Sequence, residues 1–232
     1  MLSLSKLPFS KNQIATAIAI LFHVVGLIGI LIFKNDFFIK ATPFNLLLSF
    51  SLLFWTQQKK NNWFYLFVIA TLIIGFFVEW VGVNTGYLFG NYDYGNVLGY
   101  KWQQVPIVIG INWFIIIYCC GISIQTLLLK LSGQLQTENA TVKYLKAISV
   151  LTDGATLAVL FDWLMEPVAV KLGFWKWEAA IIPVYNYICW FIISMVLLLL
   201  FHRCRFNKQN IFAINLLLIQ IMFFLILRTF LN

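Results

Sequence analysis

The chain has 232 residues, of which 62% are hydrophobic and 10% charged, with a formal net charge of +8 and a mean hydropathy of +0.89. Soluble domains run at about 45–50% apolar and about 25% charged residues, so an ordinary soluble globule is excluded and the expectation is an all-α integral membrane protein, a single polytopic domain over residues 1–232. In a soluble chain the basic excess would suggest nucleic acid. Here the Lys and Arg residues lie mostly between apolar runs, where membrane orientation explains them, and no nucleic-acid-binding motif is present.

Runs able to cross a hydrocarbon core, about 20 residues each, fall near Ile14–Phe33, Thr42–Thr56, Phe64–Val83, Val105–Leu131, Ile148–Glu166, Pro183–Phe201 and Ile211–Phe230. The second is short and makes a full span only if it begins near Phe37, with Pro43 in its first turns. The expectation is therefore about seven helices, or six if that run does not cross. Lys6 and Lys11 precede the first run without a small-residue cleavage site, which reads as a retained helix rather than a removed signal.

With the N-terminus in the cytoplasm, the inner segments hold Lys6, Lys11, Lys59, Lys60, Lys130, Lys143, Lys146, Arg203, Arg205 and Lys208. The outer ones hold Lys34, Lys40, Lys101, Lys171, Lys176 and Arg228, a bias that favours this orientation in the plasma (inner) membrane. Whatever the absolute orientation, the loops after the third and fifth runs are two crossings apart and emerge on one face. Glu79, Asp162 and Glu166, at the ends of those runs, are thus expected at similar depth.

Acids at membrane depth are costly and mark candidate sites. Asp162 and Glu166 are four apart and share a helix face, and Pro167 is expected to end or kink that helix. Gly75 and Gly82 around Glu79, and Ala155 and Ala158 before Asp162, leave room for close helix approach. Carboxyls in apolar surroundings can hold a proton at neutral pH and act as general acids. The alternative is that these acids pair with Lys101, Lys171 or Lys176. Asp153, rotated away from Asp162, and Asp93 and Glu178 in the loops are weaker candidates. Many aromatics gather on the same face; a membrane-interface belt explains part of them, and aromatic faces also stabilise cations.

The four cysteines fit no disulfide framework or zinc spacing and read as apolar fillers, and two histidines are too few for a histidine-rich di-iron centre. No metal site is expected. The last run has no lysine for a retinal Schiff base. Aspartate-rich diphosphate motifs and a dinucleotide fingerprint are also missing from the chain.

The segment Glu79-x-x-Gly82-x-x-Thr85-Gly86-x-x-Phe89-Gly90-x-Tyr92-x-Tyr94, with Pro106 and Asn112-Trp113, resembles the first signature of the membrane carotenoid-biosynthesis family that includes the CruF-type carotenoid 1,2-hydratases. Asp162-x-x-x-Glu166-Pro167-x-Ala169-x-x-x-Gly173-x-Trp175-x-Trp177 is similar to the second, so the resemblance covers roughly residues 79–177. It implies cofactor-free hydration of the terminal C=C of an acyclic ψ-end-group carotenoid to a tertiary 1-hydroxy group; in an archaeal branch the substrate is a precursor of bacterioruberin. Glu79 or Asp162 would be the acid and Glu166 the partner that orients water. Trp80, Asn84, Thr85, Tyr87, Phe89, Tyr92, Tyr94, Asn112, Trp113, Trp175 and Trp177 would line the substrate. The implied partners are the acyclic carotenoid, the lipid bilayer and other carotenoid-pathway enzymes. Two other readings stay open: an end-group cyclase, in which an internal double bond captures the same cation, and a non-catalytic membrane carotenoid- or lipid-binding protein.

Overall fold

The computed structural model describes residues 9–132 and 140–231; Lys6 of the charge reading lies outside them. Among the described residues the order is α1 (Lys11–Leu31), α2 (Asp36–Lys40), α3 (Thr42–Thr56), α4 (Asn62–Thr85), β1 (Tyr92–Tyr94), β2 (Lys101–Trp102), β3 (Val105–Pro106), α5 (Ile109–Ser132), α6 (Ala140–Lys171), β4 (Trp175–Trp177), α7 (Val184–Arg203) and α8 (Ile211–Phe230). Six of these helices, all but α2 and α3, are long and apolar enough to cross a membrane. The chain is an all-α, multi-pass membrane protein.

The short run behaves differently from a full span. α3 has 15 residues, which at 1.5 Å per residue reach about 22 Å, short of a hydrocarbon core of about 30 Å. Extension back to Phe37 as one helix fails because Pro43 has no N–H to continue a ladder. The chain turns at Ala41, and Pro43 takes up the first turn of α3. Even so, α3 runs back along the bundle. Lys11 lies 5.9 Å from the Trp55 ring, and Gln57 and Asn61 donate to the carbonyls of Asn207 and Arg205 at 2.7 and 2.8 Å. These contacts collect the start of α1, the α3–α4 turn and the α7–α8 connection at one end of the bundle.

The opposite end holds both signature segments. Asn61 caps the start of α4 at the first end, through its side chain and the Phe64 N–H. At the far end α4 stops at Gly86, whose left-handed φ of 69° terminates the helix. Lys171 at the end of α6 donates to the Leu231 carbonyl at 2.7 Å. Glu79, Asp162 and Glu166 therefore share one end of the molecule, as helix parity requires.

α5 is the central helix: every residue from 112 to 122 is buried, as expected of a helix apolar all round. α6 packs along α7, where a Cβ on Gly154 would come within 2.8 Å of Leu198, and Ala155 and Ala158 of α6 are buried as well. Pro167 does not end α6, which continues to Lys171. Proline removes the donor that would reach the carbonyl four residues back. That carbonyl, Trp163 O, is taken instead by the Arg228 guanidinium at 2.8 Å, which also stacks 4.0 Å from the Trp163 ring.

Candidate active site

The loops after α4 and α6 become a two-stranded clip. β1 and β4 pair antiparallel, with Tyr92 opposite Trp177, Asp93 opposite Lys176 and Tyr94 opposite Trp175. Side chains alternate across a strand, so Tyr92, Tyr94, Trp175 and Trp177 all turn inward and are buried. Asp93 and Lys176 turn outward and meet each other at 3.8 Å, both largely exposed.

Each inward pair serves one acid. The Tyr92 and Tyr94 hydroxyls donate to Glu79 Oε2 at 2.5 and 2.7 Å, and the Trp113 indole donates to Oε1 at 2.8 Å. The Trp175 and Trp177 indoles each donate to Glu166 Oε2 at 3.0 Å. Asn186 of α7 joins the other two acids, donating to Asp162 Oδ2 at 2.9 Å and more distantly to Glu166 Oε1 at 3.4 Å. Asp162 Oδ1 is buried with no hydrogen-bond partner among the described residues. All three acids are at most 5% exposed.

Glycine makes these approaches possible. A Cβ on Gly75 would come within 2.5 Å of the Trp113 Cβ. One on Gly82 would come within 2.8 Å of the Phe89 ring and 2.9 Å of the Tyr92 hydroxyl. Phe89 reaches the wall through a left-handed φ of 65°, an uncommon backbone state for a bulky residue and one that clusters at functional sites. Trp113 stacks on Trp190 at 3.9 Å and 11°. Burial first, and then the Glu79 carboxylate, hold the Tyr92 and Tyr94 phenols well above their ordinary value near 10. Both remain hydrogen-bond donors throughout the physiological range.

Between these groups lies a space of about 20 Å³, walled by Glu79, Asp162, Glu166, Asn112, Asn186 and aromatic rings. That is room for one water, which needs about 10–15 Å³ and polar partners. The nearby lysines do not neutralise the acids: Lys176 faces Asp93, Lys101 donates to the Tyr94 carbonyl at 2.6 Å and Lys171 to Leu231. Among the described residues no group of three or more His, Cys, Asp or Glu side chains could hold a metal ion.

The structure thus gathers Glu79, Asp162, Glu166, Phe89, Tyr92, Tyr94, Asn112, Trp113, Trp175 and Trp177 around one space. It leaves four expected lining residues outside. Trp80, one position on from Glu79 and rotated about 100° from it, stacks on Phe77 beside an outer groove between α4 and α5. Asn84 is exposed and ties the Trp80 and Gln103 carbonyls at 2.9 and 3.1 Å, away from the acids. Thr85 bonds back to the Val81 carbonyl at 2.5 Å, and Tyr87 is 78% exposed. Asp153 is exposed and hydrogen-bonded by Ser149, while Glu178 accepts from Asn91 at 2.8 Å.

Ile109, Met165, Asn186 and Trp190 complete the wall and were not expected. A lone amide in an apolar run was the available signal for Asn186, but its neighbours Tyr185 and Tyr187 make that stretch look like a membrane-interface belt.

Over 138 residues the chain is 29% identical to the bisanhydrobacterioruberin hydratase of Haloarcula japonica, a match that takes in 58% of this chain and 43% of that relative's length. No solved structure matches the chain. Residues 41–232, and with them the whole acid cluster, match the family described as carotenoid biosynthesis protein. The chain belongs to the carotenoid biosynthesis protein family.

Proposed function

We propose that the chain hydrates the terminal double bond of an acyclic ψ-end-group carotenoid, giving a tertiary 1-hydroxy end without a cofactor. The observation that carries this reading is the water-sized space walled by three acids and by aromatic rings. The family assignment and the name of the Haloarcula japonica relative support it.

Asp162 is the proton donor, since its Oδ1 is the acid oxygen of the site with no hydrogen-bond partner among the described residues. Its proton goes to C-2 of the alkene, and the π electrons form the new C–H bond and leave a tertiary cation at C-1. Glu79, held by three donors, supplies the counter-charge, and the stacked Trp113 and Trp190 faces shelter the cation. Water held by Glu166 and Asn112 adds at C-1 and gives up a proton to Glu166. Asn186, bonded to both acids, lies on the path that returns the proton to Asp162. The sum is alkene plus water to alcohol, with no redox change.

A polar, water-sized space beside the acids favours capture of the cation by water over capture by an internal double bond. The N-terminus in the cytoplasm, with the acid end towards the opposite face, belongs to this proposal and follows the charge bias. Expression in a lycopene-producing host tests the reading: carotenoids heavier by one or two waters support it. A new ring of unchanged mass assigns the cyclase, and unaltered pigment that purifies with the protein assigns a binder.

A further inference from the structure

A second, larger space lies beside the acids and no step above uses it. It measures about 470 Å³, sits between α1, α2–α3, α5, α6 and α8, and is lined almost wholly by apolar side chains. Its outer rim includes Phe22, Phe37 and Phe44, which are exposed on helix faces that meet lipid in a membrane-spanning bundle. Its inner end includes Ile109, Asn112, Met165 and Trp175, and these same four residues also line the water-sized space. One continuous wall therefore runs from the lipid-facing flank of α1 and α3 to the acids. The break at Ala41 borders the space, and α2, only 5 residues long, forms part of its rim.

We propose that this cavity binds the chain of the isoprenoid substrate, which enters sideways from the bilayer, end first, between α1 and the α2–α3 turn. The inference rests on the hydratase reading for the identity of the ligand. A volume of this size matches a drug-sized ligand and is short of a whole carotenoid. Only the reacting end and the adjoining polyene are enclosed, and the rest of the chain stays in lipid. The site therefore reads the end group and leaves the length of the far part unread.

Gly26 provides the test, since it lines the cavity and a Cβ there would meet only the Phe223 ring at an ordinary 3.5 Å. Gly26→Ala is tolerated, and Gly26→Trp fills the space. Protein purified from a lycopene-producing host is assayed for carotenoid retained per protein by visible absorbance, alongside its melting temperature. Wild type, Gly26→Ala and Asp162→Asn retain pigment. Gly26→Trp loses at least about tenfold, since excluding a few buried methylenes already weakens binding by that factor.

A second measurement does not depend on that variant folding. A photo-reactive benzoyl-phenylalanine at Phe44 crosslinks to the carotenoid, whereas one at Phe77, in the outer groove between α4 and α5, does not. Pigment held by Gly26→Trp at the wild-type ratio overturns the proposal, as does crosslinking at Phe77 with none at Phe44. Failure of the hydratase reading looks different: wild type would form no alcohol while the pigment and crosslinking results stood.

Discussion

Replacing Asn186 by Leu keeps the approximate volume and removes the amide that joins Asp162 to Glu166. Asp162 Oδ2 loses its donor at 2.9 Å, while Glu166 loses only a 3.4 Å contact and keeps both indoles. Leaving a buried acceptor without a partner costs about 1–3 kcal/mol, so the expected loss is about 2 kcal/mol, nearly all of it at Asp162. For a chain of this size that lowers the melting temperature by roughly 4–8 °C. The same loss of positioning at the acid slows turnover by about 30-fold. Melting of the detergent-solubilised protein and hydration of lycopene in vesicles are the assays. Asn215→Leu removes an amide bond to Thr16 far from the acids and serves as the control, losing stability but not turnover per folded protein. If Asn186→Leu behaves like that control, or melts and turns over like wild type, the amide does not position Asp162.

Three further outcomes are expected. Gly82→Ala drives a Cβ into the Phe89 ring and the Tyr92 hydroxyl; by loosening the Glu79 hydrogen bonds it lowers turnover more than tenfold, whereas Tyr87→Ala, at an exposed position, leaves turnover within about twofold. Because burial and Glu79 raise the Tyr92 and Tyr94 phenols well above 10, their stabilisation is fully present below the unfolded phenol value and is lost only as pH rises through the higher folded values. The difference in melting temperature between wild type and the Tyr92→Phe/Tyr94→Phe double variant should therefore stay constant from neutrality to about pH 9 and shrink as pH rises above about 10; a difference that stays unchanged above that pH contradicts the shift. Arg228→Leu frees the Trp163 carbonyl in the Pro167 turn and lowers the melting temperature by several degrees, and a wild-type melt would show that the guanidinium does not replace the lost helix bond.

Helix number and the shared depth of the acids were readable because apolar run length and chain parity depend on sequence alone. The acids stood out because charge is rare in such a chain. The clip was harder to see. Tyr92-x-Tyr94 and Trp175-x-Trp177 carry a period of two, yet three residues are too few to separate a strand from a loop, and the pairing joins segments far apart in sequence. Trp80, Asn84, Thr85 and Tyr87 were drawn into the site by nearness to Glu79 along the chain, although helix rotation turns Trp80 away, Asn84 and Thr85 bond back along the last turn of α4, and Tyr87 lies beyond its end. Pro167 looked like a helix end because the compensating donor, Arg228, comes from another helix.

The central claim is that Glu79, Asp162 and Glu166 add water to an alkene. Its most direct test is to incubate membranes holding wild-type protein, or Glu79→Gln, Asp162→Asn or Glu166→Gln, with lycopene in heavy-oxygen water and to follow the label by mass spectrometry. The expected result is a tertiary alcohol that carries the label with wild type, and label formation reduced by about 10²–10⁴-fold in each amide variant at equal membrane content. Undiminished labelling in all three variants, or a wild-type product without the label, would contradict the account.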